Sequence, residues 1–145
     1  MEEWKSEPNW LEFEHVGFKC LITRESEELY LCGYAGGIPE KHPYYGKSHK
    51  KVDLHAHRGL TFGSKMWDDI EENWREGWWF GFECNHPGDL VPVKGKQTEN
   101  DIYRNIDYVT TELKFLAEQL AAAGIAGNKD TSTPGKKKIF GLFRK

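Results

Sequence analysis

The chain has 145 residues, 38% apolar and 30% charged, a balance that suits one domain with a real core and excludes a disordered composition. The formal charge of −3 is unevenly spread: Lys129 to Lys145 hold six basic residues against one acidic, leaving −8 for residues 1–128. An acidic body argues against broad nucleic-acid binding, which needs many neutralised phosphates.

Aromatic residues make up 14% with 6 Trp. Trp rarely buries completely, so some of these rings are expected half-exposed at a groove or interface, and a homo-oligomer is compatible with that content. Met1 is followed by Glu2 and Glu3 rather than a basic and apolar leader, and no run approaches 18 apolar residues. A cytoplasmic protein without a membrane span is the expectation. Cys20, Cys32 and Cys84 are too few and too scattered for a disulfide framework.

Residues 1–17 are a mixed segment punctuated by Pro8 and Gly17. FKCLITRE (18–25) alternates as a half-buried strand, and LYLCGYAG (29–36) is a second strand joined to it as a hairpin. Residues 36–51 are a long loop broken by Gly and Pro. VDLHAHRGLTFG (52–63) reads as a third strand, with His55 and His57 on one side. SKMWDDIEENWREG (64–77) changes period: Met66, Trp67, Ile70 and Trp74 form a stripe at helical spacing, with Ser64 as cap and Gly77 as stop. WWFGFEC is the fourth and strongest strand, placing Trp78, Phe80, Phe82 and Cys84 on one face and Trp79, Gly81 and Glu83 on the other.

Ile102, Ile106, Val109, Leu113, Leu116 and Leu120 then mark a long amphipathic helix, capped by Thr98 or Asn100 and stopped by Gly124. The expected fold is α+β: an antiparallel sheet of about four strands, this helix on one face, and a short helix between strands three and four. Residues 1–125 form the domain, and 126–145 a flexible basic tail. In that tail, GKKKIFGLFRK pairs a basic run with Ile139, Phe140, Leu142 and Phe143, a combination suited to a membrane surface or a partner's groove.

Chemistry-bearing residues gather around His57, His86 and Asp89. They line a ligand pocket if strands 52–62 and 78–84 pair, or else His86 and Asp89 merely form a turn at Pro87-Gly88. The spacing C-x-H-x-x-D is no established zinc pattern, so no metal is expected; one would fall to His57, His86, Asp89 and Cys84. Cys84 shares its parity with core aromatics, which weakens a nucleophilic role. Arg58 and Thr61, beside Gly59, offer donors to a phosphate or carboxylate. Tyr34, Tyr44, Tyr45, Trp78 and Trp79, with Arg58 and Lys65, suggest an aromatic and cationic cleft for a nucleotide-like ligand. No P-loop, dinucleotide fingerprint, H-E-x-x-H or paired C-x-x-C is present, and the sequence points to no cofactor.

LCGYAG, HPYYGK, HRGLTFG and WWFGFECNHPGD, followed by YRNIDYVTTELKFLAEQL, resemble blocks of small proteins encoded by bacteriophages and prophages, over roughly residues 29–121. Those relatives carry HGGLT-like and WWFGFDCxHxGD-like blocks; here Arg58 replaces the first glycine and Glu83 the aspartate. The resemblance implies phage origin and an accessory role inside an infected cell, and it carries over no catalytic residue. The expectation is a protein acting by binding, which sequesters a small anionic, nucleotide-like ligand or inhibits a host factor such as a defence component. Its rivals are a small hydrolase using His57, His86 and Asp89, with or without zinc, and a structural or assembly protein.

Overall fold

Alternation of apolar and polar residues folds the N-terminal third of the chain into sheet. The computed structural model describes residues 2–131. Strands β1 (Trp10–His15), β2 (Phe18–Arg24) and β3 (Leu31–Ile38) form a meander. β1 and β2 are joined by the two residues Val16 and Gly17, at φ 46° and 88°. That pair of left-handed residues matches the twist of a tight hairpin. β1 lies in the segment that sequence pattern left unassigned; it has an exposed outer row and a half-buried inner one.

The next strands are β4 (Phe62–Ser64), β5 (Trp67–Asp68), β6 (Asn73–Trp74) and β7 (Trp78–Glu83). The main sheet runs β1-β2-β3-β7-β4 and every pairing is antiparallel, while β5 and β6 pair only with each other. The fold is therefore α+β with five strands, with β3 in the middle and β7 paired on both sides.

Two expectations need correction in this region. Of the third expected strand only Phe62 and Gly63 join the sheet, in β4; residues 52–61 run irregularly along the helix side, so His55 and His57 do not share a strand face. The expected helix over 64–77 is the β5–β6 hairpin. The Asp68 carboxylate accepts the backbone N–H groups of Ile70 and Glu71, at 2.9 and 3.1 Å. This side-chain-closed turn competes successfully with helix.

Helix α1 (Ile106–Thr131) covers one face of the sheet. Val109, Leu113, Leu116, Ala117 and Leu120 are fully buried against Cys20, Ile22, Leu31, Ala35, Phe80 and Phe82. Burying each such large side chain stabilises by about 1.5–3 kcal/mol, so this one stripe fixes the helix to the sheet. The helix starts later than its apolar period suggests. Asn105 is the cap, its Oδ1 accepting the Tyr108 N–H at 2.8 Å, and the Glu7 carboxylate accepts the Ile106 N–H at 2.9 Å. Thr98 instead closes a turn on Asp101, and Ile102 is exposed in a bridge to Asp89.

Nor does Gly124 end the helix. A Cβ there would stand 3.2 Å from the His42 ring, whose Nε2 meets the Leu120 carbonyl at 2.8 Å, so the glycine permits a close approach. Of the expected tail, residues 126–131 continue α1, while 132–145 lie outside the described residues. Among the described residues no helix is long and apolar enough to cross a membrane.

Candidate functional site

The residues singled out from sequence separate onto opposite sides of the sheet. His57, Arg58, His86 and Asp89 gather on the helix side, where the segment before β4 meets the turn after β7. Tyr34 and Trp79 belong to the other face. Thr61 is exposed beside β7, its backbone N–H bonded to the Gly81 carbonyl at 2.9 Å, and joins neither group.

On the helix side the turn Asn85–Asp89 folds on itself. The His86 N–H donates to Asp89 Oδ2 at 3.0 Å, the Asp89 N–H to the His86 carbonyl at 2.8 Å, and Gly88 takes φ 94°. This drives the Asp89 carboxylate inward until its side chain is fully buried. There it meets His57 Nε2 at 2.8 Å and accepts from Arg104 Nε at 2.9 Å. His57 Nδ1 lies 2.7 Å from the Tyr108 hydroxyl, and the Arg104 guanidinium sits 4.9 Å over the Tyr108 ring.

Burial opposes ionisation of Asp89, but the bonds from His57, Arg104 and the His86 backbone outweigh it and hold the carboxyl below its ordinary range. An ionised carboxylate can only accept, so His57 donates to Asp89 through Nε2–H, while its Nδ1 faces the Tyr108 hydroxyl. Both ring nitrogens are then occupied, Nδ1 by the Tyr108 hydroxyl. Burial, followed by the nearby Glu112 charge, pushes that hydroxyl up and away from ionisation.

The remaining candidates occupy lesser positions here. The His86 ring stands 6.2 Å from that of His57, with its Nε2 buried and unpartnered among the described residues. Arg58, at φ 56°, lays its guanidinium against Gly88. Cys84 belongs to the core, and burial raises its thiol far above the ordinary value, as it raises Cys20 to about 11 and Cys32 to about 12. Cys84 is therefore poorly suited to act as a thiolate. Among the described residues no three His, Cys, Asp or Glu side chains are arranged to hold a metal ion, and the set His57, His86, Asp89 and Cys84 is not assembled as one.

The other face of the sheet is built on missing side chains. Cross-strand partners Glu12, Leu21, Tyr34, Gly81 and Phe62 form one row across the sheet. The Tyr34 ring lies over Gly81, where a Cβ would come 2.4 Å from it, and meets Phe62 edge-on at 5.3 Å. Trp79 lies over Gly36 in the same way, fully buried, with its indole N–H on the Glu76 carbonyl at 3.1 Å. Above this floor the β5–β6 hairpin folds back. Its facing pair Trp67 and Trp74 stand edge to face at 5.2 Å.

Arg75 pins the hairpin down. It pairs with Asp68 and Glu12, both at 3.1 Å, and its guanidinium lies 5.7 Å over Trp10 and 5.8 Å over Trp79. Between hairpin and sheet is a cleft of about 470 Å³, within the range of ordinary ligand sites. Trp10, Tyr34, Phe62, Trp67, Ile70 and Trp74 supply most of its apolar lining.

Of the aromatic cleft expected from sequence, Tyr34 and Lys65 line this one, and Trp79 lies beneath Arg75, which also lines it. Tyr44, Tyr45 and Trp78 pack instead against the helix-side core. Trp10, Trp67, Ile70 and Trp74 were not singled out as site residues; the signal that pointed to them was the high Trp content. Comparison with family models, curated proteins and solved structures finds no match to this chain.

Proposed function

We propose that this chain is a binding protein whose working surface is the cleft under the β5–β6 hairpin. One observation carries the reading. Among the described residues nine large apolar side chains are exposed, and four of them, Trp10, Trp67, Ile70 and Trp74, surround this one cleft. Clustered exposed aromatics mark a docking surface, whereas scattered ones do not.

The fitting partner is a protein segment carrying apolar anchors and basic groups. Residues 65–76 hold five acidic side chains against two basic, and Arg75 is already engaged by Glu12 and Asp68. Together with the phage resemblance, this favours an accessory protein that engages a host factor in the infected cell. Sequestration of a small anion finds its support on the helix side. There Arg58 has no ion-pair partner among the described residues, and Arg104 bonds Asp89 through Nε alone. The hydrolase reading has less support, because Asp89 and both nitrogens of His57 are taken up internally. An assembly role would put the same cleft to self-association, which the mass of the particle in solution decides.

The test is capture from bacterial lysate by the immobilised full chain, followed by titration of the purified captured protein. A Trp67→Ala/Trp74→Ala variant is expected to lose at least tenfold in affinity, as central aromatic anchors do, while Arg58→Ala binds like wild type. Equal binding by the double variant would overturn the reading; loss confined to Arg58→Ala would move the site to the helix side.

A further inference from the structure

We propose that the basic C-terminal segment, residues 132–145, docks in cis into the aromatic cleft and competes there with the partner. The proposal rests on the reading of the cleft as a docking site and adds a regulator to it.

Charge and apolar content match on the two sides. Residues 132–145 carry five basic side chains and no acidic one, with Ile139, Phe140, Leu142 and Phe143 set between Lys138 and Arg144. The hairpin segment 65–76 is net acidic, and its cleft offers Trp10, Trp67, Ile70 and Trp74. A segment with apolar anchors flanked by cations fits an apolar groove formed under a net-acidic hairpin.

Topology brings the two within reach. Gly124 of α1 lies against His42, just beyond the end of β3. On the opposite face, Gly77 at the base of the hairpin packs against Gly37 and Ile38, at the end of the same strand. Helix end and hairpin base thus share one end of the sheet. The sheet is about 20 Å across at the usual strand spacing, and the turns from Gly124 to Thr131 add about 10 Å. Fourteen residues extend to about 46 Å, enough to round the edge.

The experiment reads the indole N–H signals of the full chain by NMR, assigned with Trp67→Phe and Trp74→Phe variants. Wild type is compared with a Phe140→Ser/Phe143→Ser variant. The Trp67 and Trp74 signals should move between the two chains, that of buried Trp79 should not, and the difference should survive tenfold dilution. A synthetic peptide of residues 132–145 added to the serine variant should restore the wild-type positions, more weakly as salt rises. With an intrinsic affinity near 0.1 mM and an effective concentration of about 1 mM, the tail would weaken partner binding roughly tenfold.

Unchanged signals would overturn the proposal, and a difference lost on dilution would assign the cleft to a second copy. Partner binding that depends on Trp67 and Trp74 but not on the tail would leave the docking reading intact while removing this one. Partner binding indifferent to those tryptophans would remove the reading itself.

Discussion

Replacing Asp89 with alanine removes the acceptor shared by three donors: His57 Nε2 at 2.8 Å, Arg104 Nε at 2.9 Å and the His86 backbone N–H at 3.0 Å. Charge-assisted hydrogen bonds each contribute about 1.5–3 kcal/mol, but these share one carboxylate and do not add. Removing one partner of a buried ionic cluster costs about 3–5 kcal/mol, because the others remain buried and uncompensated. For a domain of this size that corresponds to a fall in Tm of about 10–15 °C. Urea and thermal unfolding followed by Trp fluorescence measure it. The acid limb provides a second check. Asp89 is held below its ordinary value of 3.8, so its stabilisation is fully present above that pH and is lost as pH falls through the lower folded-state value. The gap between wild type and variant should therefore narrow below about pH 4. A loss under about 1 kcal/mol would refute the view that the cluster is a clamp joining loop, turn and helix, and would revive a chemical role for the carboxylate.

The other substitutions probe separate features. Arg58→Gly relieves a left-handed residue at φ 56° and should raise stability by about 0.5–1 kcal/mol in urea titration, net of glycine's greater unfolded-state entropy. Gly36→Ala sets a methyl 2.1 Å from the Trp79 ring; a loss of about 1–3 kcal/mol and a red-shifted Trp emission are expected. Trp67→Ala/Trp74→Ala removes half-exposed rings and should cost under about 1 kcal/mol by thermal unfolding, so that any lost binding is not lost folding.

Where one periodicity had one interpretation, sequence and structure agree. Cys20 and Ile22, Phe80 and Phe82, and Val109 through Leu120 face the core their spacing assigns them. His57 and Asp89 also meet, though not by the route supposed. They were placed by supposing that a strand over 52–62 pairs with β7, yet His57 reaches Asp89 from irregular chain. Their enclosure by Arg104 and Tyr108 was not legible, because it depends on where α1 begins. The apolar period runs back to Ile102, whereas the cap at Asn105 and the Glu7 carboxylate start the helix at Ile106. An acidic side chain near the N-terminus, distant in sequence, settles that boundary.

The hairpin over β5–β6 shows why the cleft was harder to see. Met66, Trp67, Ile70 and Trp74 fit a helical stripe, and such a stripe buries itself against a core. Here Ile70 is 75% exposed and Trp74 56% exposed, so burial does not account for these residues. What holds the segment as a hairpin is polar: Asp68 closing the turn, and Arg75 bound to Asp68, Glu12 and two indole faces. A sequence that spends its polar groups on fixing a fold while leaving its tryptophans in water departs from local consistency. Such departures concentrate at functional sites. The cleft and the failure of the helical reading are therefore one observation: the side chains of the stripe line the cleft instead of a core.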